Sequence, residues 1–80
     1  MKLYAIKDVK VGFWKPFCQP NDAVASREFS NLINSTRESI VKDNPCDFEL
    51  WCLGTYDEAT GAIVSDVQFI ISGASVKKEV

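Results

Sequence analysis

Lys7, Lys10, Phe13, Trp14, Lys15 and Phe17 interleave cations with aromatic rings in one short stretch of the chain. Single-stranded nucleic acid needs such a surface. Ammonium groups follow the phosphates, and bases stack on ring faces, each stack worth about 1–3 kcal/mol. This arm holds no arginine, the residue that both stacks and grips a phosphate through two parallel bonds, so it offers only point charges. The same rings have an alternative use. In a chain short of core, Phe13, Trp14 and Phe17 could fold back as a second small core or meet a partner subunit.

Other chemistries are poorly served. Asp47 and Glu49 are two apart and share a strand face, and Asp57 and Glu58 are adjacent, so either pair suggests acid–base work. Nothing around them forms a substrate pocket, and acids at a hairpin tip ordinarily serve the turn. The chain has no histidine, which excludes a Ser-His-Asp triad, a Cys-His dyad and any zinc site containing imidazole. Three cysteines (Cys18, Cys46, Cys52) are too few for an all-thiolate zinc site. They are odd in number and lack a C-x-x-C spacing, so they do not form a disulfide framework either. The four glycines are isolated, and no phosphate-cradling loop exists. The expectation is a protein without catalysis, metal or cofactor.

These residues must be positioned by a small body. Eighty residues, 46% hydrophobic and 25% charged, amount to one ordinary globular domain. A chain of this size buries only about 60% of the surface its unfolded form exposes, so a partner chain would help to complete it. The net charge of −2 argues against a surface that is basic throughout. The charge is polarised, however. Residues 1–19 carry four lysines against Asp8 alone, a local +3, and residues 37–66 carry a local −5. That pattern suits a basic patch on an acidic body or head-to-tail pairing of chains; two solvated faces would produce it as well. Apolar runs are far shorter than the roughly 20 residues a membrane helix needs, and charges within 4–10 argue against a signal peptide.

Alternation over about 2–9 predicts a first strand, and Gly12, Pro16 and Pro20 predict a loop from Val11 to Asn21. Asn21-Asp22 starts a helix whose stripe is Ala25, Phe29, Leu32 and Ile33, ending near Asn34, with an extension toward Val41 possible. Residues 35–46 read as a connection closed by Asn44-Pro45. Residues 47–53 form the clearest strand. Its faces are both largely apolar, so Phe48, Leu50, Trp51 and Leu53 are expected to lie centrally or against a second copy. A tight turn at 57–61 leads to strands at 62–64 and 67–71, with a bulge or bend at Ser65-Asp66. Order should end at Ser72-Gly73, giving a domain over 1–74 and a mobile tail over 75–80. The fold class is α+β: a small antiparallel sheet in β-α-β-β order with one helix packed on it, completed by oligomerisation.

The opening Met1-Lys-Leu-Tyr-Ala-Ile-Lys-Asp8, the Asn21-Asp22 helix with Ala25, Arg27, Phe29 and Asn31, and above all Pro45-Cys-Asp-Phe-Glu-Leu-Trp-Cys-Leu-Gly54, Tyr56-Asp-Glu and Thr60-Gly61 resemble the small nonstructural protein of gokushovirus-type microviruses. These phages carry circular single-stranded DNA genomes, and the resemblance spans about residues 1–63. Cys46 departs from the pattern, where a second acid beside Asp47 is expected. The resemblance implies a non-enzymatic phage protein of the host bacterial cytoplasm that binds single-stranded DNA during genome replication or the switch to single-stranded synthesis. Lys7, Lys10, Phe13, Trp14, Lys15 and Phe17 are then the expected DNA contacts, and Phe48, Leu50, Trp51 and Leu53 the expected contacts between copies. The alternative is an interaction module for a phage or host replication or assembly protein, using the acidic hairpin or the aromatic arm.

Overall fold

Tyr4, Ile6 and Asp8 alternate with Leu3, Ala5 and Lys7 along the first strand, β1 (Lys2–Asp8), the period-two pattern that gives a strand one face for a core. The computed structural model describes residues 1–35 and 43–77. In it β1 lies inside a five-stranded sheet with β2 (Gly12–Phe13), β3 (Phe17–Gln19), β4 (Phe48–Tyr56) and β5 (Ile63–Ser72). All pairings are antiparallel. β4 takes one edge of β1; β2 and β3 share the other, with Phe13 opposite Lys7 and Phe17 opposite Tyr4. The order across the sheet is therefore β2/β3, β1, β4, β5. Among the described residues one long helix, α1 (Asp22–Ile33), a 3-10 turn at Pro45–Asp47 and a single turn, α2 (Gly73–Val76), complete the expected α+β architecture.

The helix starts where the sequence predicts. The side chain of Asn21 accepts a 2.9 Å bond from the Val24 amide, satisfying one orphan donor of the first turn. Asp22 follows, and its carboxylate ties the helix to β1. It accepts 2.5 Å and 3.2 Å bonds from the Tyr4 hydroxyl and Lys2 Nζ. Ala25, Phe29 and Ile33 are buried against Tyr4, Phe48, Leu50 and Cys52, with Ile6, Phe17, Ile70, Ile71 and Val76 around the rim. A possible continuation of the helix toward Val41 lies outside the described residues.

The structure departs from the sequence expectations in three places. The stretch between β1 and α1 is not simply a loop. Prolines 16 and 20 flank a three-residue edge strand, where a missing N–H costs no ladder bond. β4 runs on to Tyr56, and the two apolar runs after the turn join into one ten-residue β5. The Ser65-Asp66 break is absorbed as an irregularity, since β4 advances from Cys52 to Gly54 while β5 retreats from Gln68 to Ser65. Order also continues past Gly73. Ser72 caps α2 by accepting from the Ser75 amide at 3.3 Å, and Val76 packs on the core. The Val76 carbonyl takes a 2.9 Å bond from Asn34 Nδ2 at the end of α1. Of the expected tail, 78–80 lie outside the described residues.

Candidate nucleic-acid interface

Among the described residues the helix covers one face of the sheet and leaves the other open. On that open face, neighbouring strands each supply one side chain: Phe13 from β2, Lys7 from β1, Trp51 from β4 and Phe69 from β5. Phe13 and Phe69 flank Trp51, with ring centroids 5.8 and 5.6 Å away and planes turned by 83° and 78°. The perpendicular arrangement matches edge-to-face attraction between ring quadrupoles. Lys7 Nζ lies 5.4 Å from the Phe13 centroid and 5.1 Å from that of Trp51, within cation–π range. Glu49, opposite Lys7 in the ladder, accepts a 3.0 Å bond from Trp51 Nε1 and fixes the indole. Phe13 and Phe69 are about half exposed, at 47% and 50%.

The six residues singled out in the arm do not form one cluster. Successive residues of an extended chain point to opposite faces, so Phe13 joins the open face while Trp14 turns to the helix side. There Trp14 meets Phe48 edge-on at 5.1 Å and keeps 38% of its surface exposed. Phe17 stacks on Tyr4 at 6.1 Å and packs against the core. Lys10 Nζ sits 3.5 Å from Asp47, and Lys2 is bound to Asp22, so two of the four lysines behind the local +3 are neutralised nearby. Lys15 is exposed. Of the six, Lys7 and Phe13 meet in the aromatic row of the open face.

The four residues expected between copies divide as well. Phe48 and Leu50 are fully buried beneath the chain's own helix. Burial inside the monomer corrects the expectation that a second copy seals them, because α1 already does so. Trp51 lies on the open face. Leu53 sits at the irregularity and has no registered partner on β1 or β5. Phe69 was not singled out from the sequence, since it is embedded in the apolar run Val67–Ile71 and only strand order reveals that it faces Trp51.

The carboxylates are otherwise engaged. Asp47 pairs with Lys10 and Glu49 with Trp51. Asp57 accepts from the Ala59 amide, and that bond, with help from Thr60, holds its carboxyl below the ordinary range. Its role is turn geometry. A groove of about 380 Å³ between α1 and β3 is lined by Ile6, Phe17, Gln19, Glu28, Phe29 and Leu32, with no convergent set of titratable groups. Among the described residues no three His, Cys, Asp or Glu side chains gather as for a metal.

Fold and face together define a small α+β protein whose antiparallel sheet is backed by helix α1 and carries a partly exposed aromatic row. The chain belongs to the phage ORF5 proteins, whose family model matches residues 1–76. It is thus a phage protein, and the match takes in all the residues that resemble the gokushovirus nonstructural protein. No curated protein and no solved structure matches it. Among the described residues no helix is long and apolar enough to cross a membrane.

Proposed function

We propose that this phage protein is a non-enzymatic single-stranded-DNA-binding factor acting in the host cytoplasm during genome replication or the switch to single-stranded synthesis. One observation carries the proposal: Phe13, Trp51 and Phe69 form a row across the sheet, the outer two rings about half exposed and Trp51 partly buried between them, with the Lys7 ammonium beside two of the rings. Sheet faces of this width, roughly 14 Å across four strands, accommodate stacked bases, about two or three on comparable four-stranded platforms. Stacking needs no particular base, which suits a protein that must coat a whole genome. The cations are few. Of the four lysines in residues 1–19, Lys7 and Lys15 remain for phosphates, whereas Lys2 and Lys10 are paired with carboxylates. Stacking therefore supplies most of the affinity and charge the smaller share. The likeness to proteins of phages with single-stranded DNA genomes supports the assignment to genome synthesis.

The test is a fluorescence titration of the purified full chain with oligothymidine at several salt concentrations. Binding should quench Trp51 and be weakened on converting Phe69 to Ala. A flat signal at low salt, with no retention on single-stranded DNA, overturns the proposal.

A further inference from the structure

The two edges of the sheet are built differently. On one side the edge consists of β2 and β3, two and three residues long, with prolines 16 and 20 beside β3. Short strands and proline are the usual means of preventing a foreign strand from pairing. On the other side, β5 runs for ten residues with no proline and one charge, Asp66. Among the described residues no strand pairs with its outer edge. Ile63, Val64, Val67 and Phe69 are all at least half exposed there. An edge so long and apolar is a template for another strand.

We propose that this edge docks a second copy of the same chain, β5 against β5, antiparallel about a two-fold axis at Val67. Three features favour a copy as occupant. The first is self-complementarity. Asp66 and Gln68 share a face, with Gln68 Nε2 donating to the carboxylate at 3.2 Å. A two-fold at Val67 sets Asp66 opposite the second copy's Gln68, so each carboxylate meets an amide donor, and like charges are not directly opposed. The second is charge at the ends. Antiparallel pairing brings the start of β5, beside the acidic tip with Asp57 and Glu58, to the end of the other β5, which leads through α2 to the exposed Lys77. The third is closure. The opposite edge is blunted, so head-to-tail growth has no acceptor, whereas an isologous pair uses the same edge twice and stops at two.

The two-fold stands perpendicular to the sheet, so both open faces lie on the same side. Phe13, Trp51, Phe69 and Lys7 of each copy then form one continuous surface with twice the cations. This consequence rests on the nucleic-acid proposal; the interface does not. Two irregularities in β5 restrict the ladder, and a contact of this size belongs with small, reversible interfaces.

Sedimentation of the full chain from micromolar to millimolar concentration should show monomer passing to dimer and no larger species. Val67→Lys places two ammonium groups opposite each other and should weaken association at least about tenfold, with the circular dichroism spectrum unchanged. If that variant fails to fold, Glu58→Lys serves in its place, expected to weaken the dimer, with Lys77→Glu in the same chain restoring it. A chain monomeric throughout, or a dimer that both Val67→Lys and Glu58→Lys leave intact, overturns the proposal. So does capture of a different protein on β5 in place of a copy. DNA binding is read separately. The monomeric variant should still be quenched by a short oligothymidine while losing the tighter binding of a long one. A dimer that quenches with neither sustains the interface and refutes the nucleic-acid proposal.

Discussion

The Lys7 ammonium stands 5.1 Å from the centre of the Trp51 ring, although Glu49 is its direct partner in the β1–β4 ladder. Glu49 instead accepts from the indole nitrogen, and the lysine rests on the ring faces. A cation held there is available to a phosphate passing over the row. Neutralising it as Lys7→Gln should reduce the salt dependence of oligothymidine binding by about 0.7 in the log–log slope, the value of one single-strand phosphate contact. Lys10→Gln should leave the slope nearly unchanged, because Lys10 already faces Asp47. Fluorescence titrations at four or so salt concentrations distinguish the two.

Phe69 and Phe13 stand on either side of Trp51 and contribute little to the core. Phe69→Ala or Phe13→Ala should each weaken oligothymidine binding by about 1–3 kcal/mol, the worth of one stacked base. The thermal midpoint should move only slightly in both variants. Trp14→Ala should behave in the opposite way, since Trp14 touches Phe48 on the helix side: stability falls and DNA affinity holds.

Those contrasts show what could be seen in the sequence. The helix was legible because Ala25, Phe29 and Ile33 repeat at helical spacing behind an Asn21 cap, all of it local information. The first strand and the strand around Trp51 were legible from alternation. The site was only half legible. Lys7 and Phe13 were marked by type, but Trp51 and Phe69 join them only through the order β2, β1, β4, β5, which pairs residues far apart in the chain. For Phe17 the sequence leaves both a DNA contact and a fold back into the core open, and the second holds only because β3 pairs back on β1 and brings Phe17 to Tyr4.

Tyr4 and Asp22 make stability depend on pH at both ends of the scale. The Tyr4 hydroxyl, and after it Lys2, hold the Asp22 carboxyl below its ordinary value, against an opposing effect of burial. That contribution is fully present above the unfolded carboxylate value of about 4 and is lost as pH falls through the lower folded value. Burial first, and then Asp22, push the Tyr4 phenol upward. Its contribution is full below about pH 10 and is lost as pH rises through the raised folded value. Tyr4→Phe should cost about 1 kcal/mol at neutral pH, since the bond is to a half-exposed carboxylate. Urea melts across pH should show shallower acid and alkaline losses in the variant than in the parent.

Gly54 is the residue that allows β4 and β5 to stay paired past the irregularity at Leu53. Its φ is +145°, and a Cβ there would lie 1.9 Å from the Val64 carbonyl oxygen, so backbone strain and collision act together. No rotation of a flexible side chain relieves the clash, because the obstructing atom is backbone. Gly54→Ala should therefore destabilise the chain by about 1–3 kcal/mol from the conformational strain alone, and by more once the strands separate. The loss should be greatest in the far half of the hairpin, from Thr55 through Val64, where the ladder depends on close approach at this point. Amide exchange checks it: protection should fall there in the variant and persist along Lys7–Asp8 and Phe48–Leu50, where the sheet is held by β1 and the helix. Uniform loss of protection, or none, would show that the close approach does not hold the two strands together.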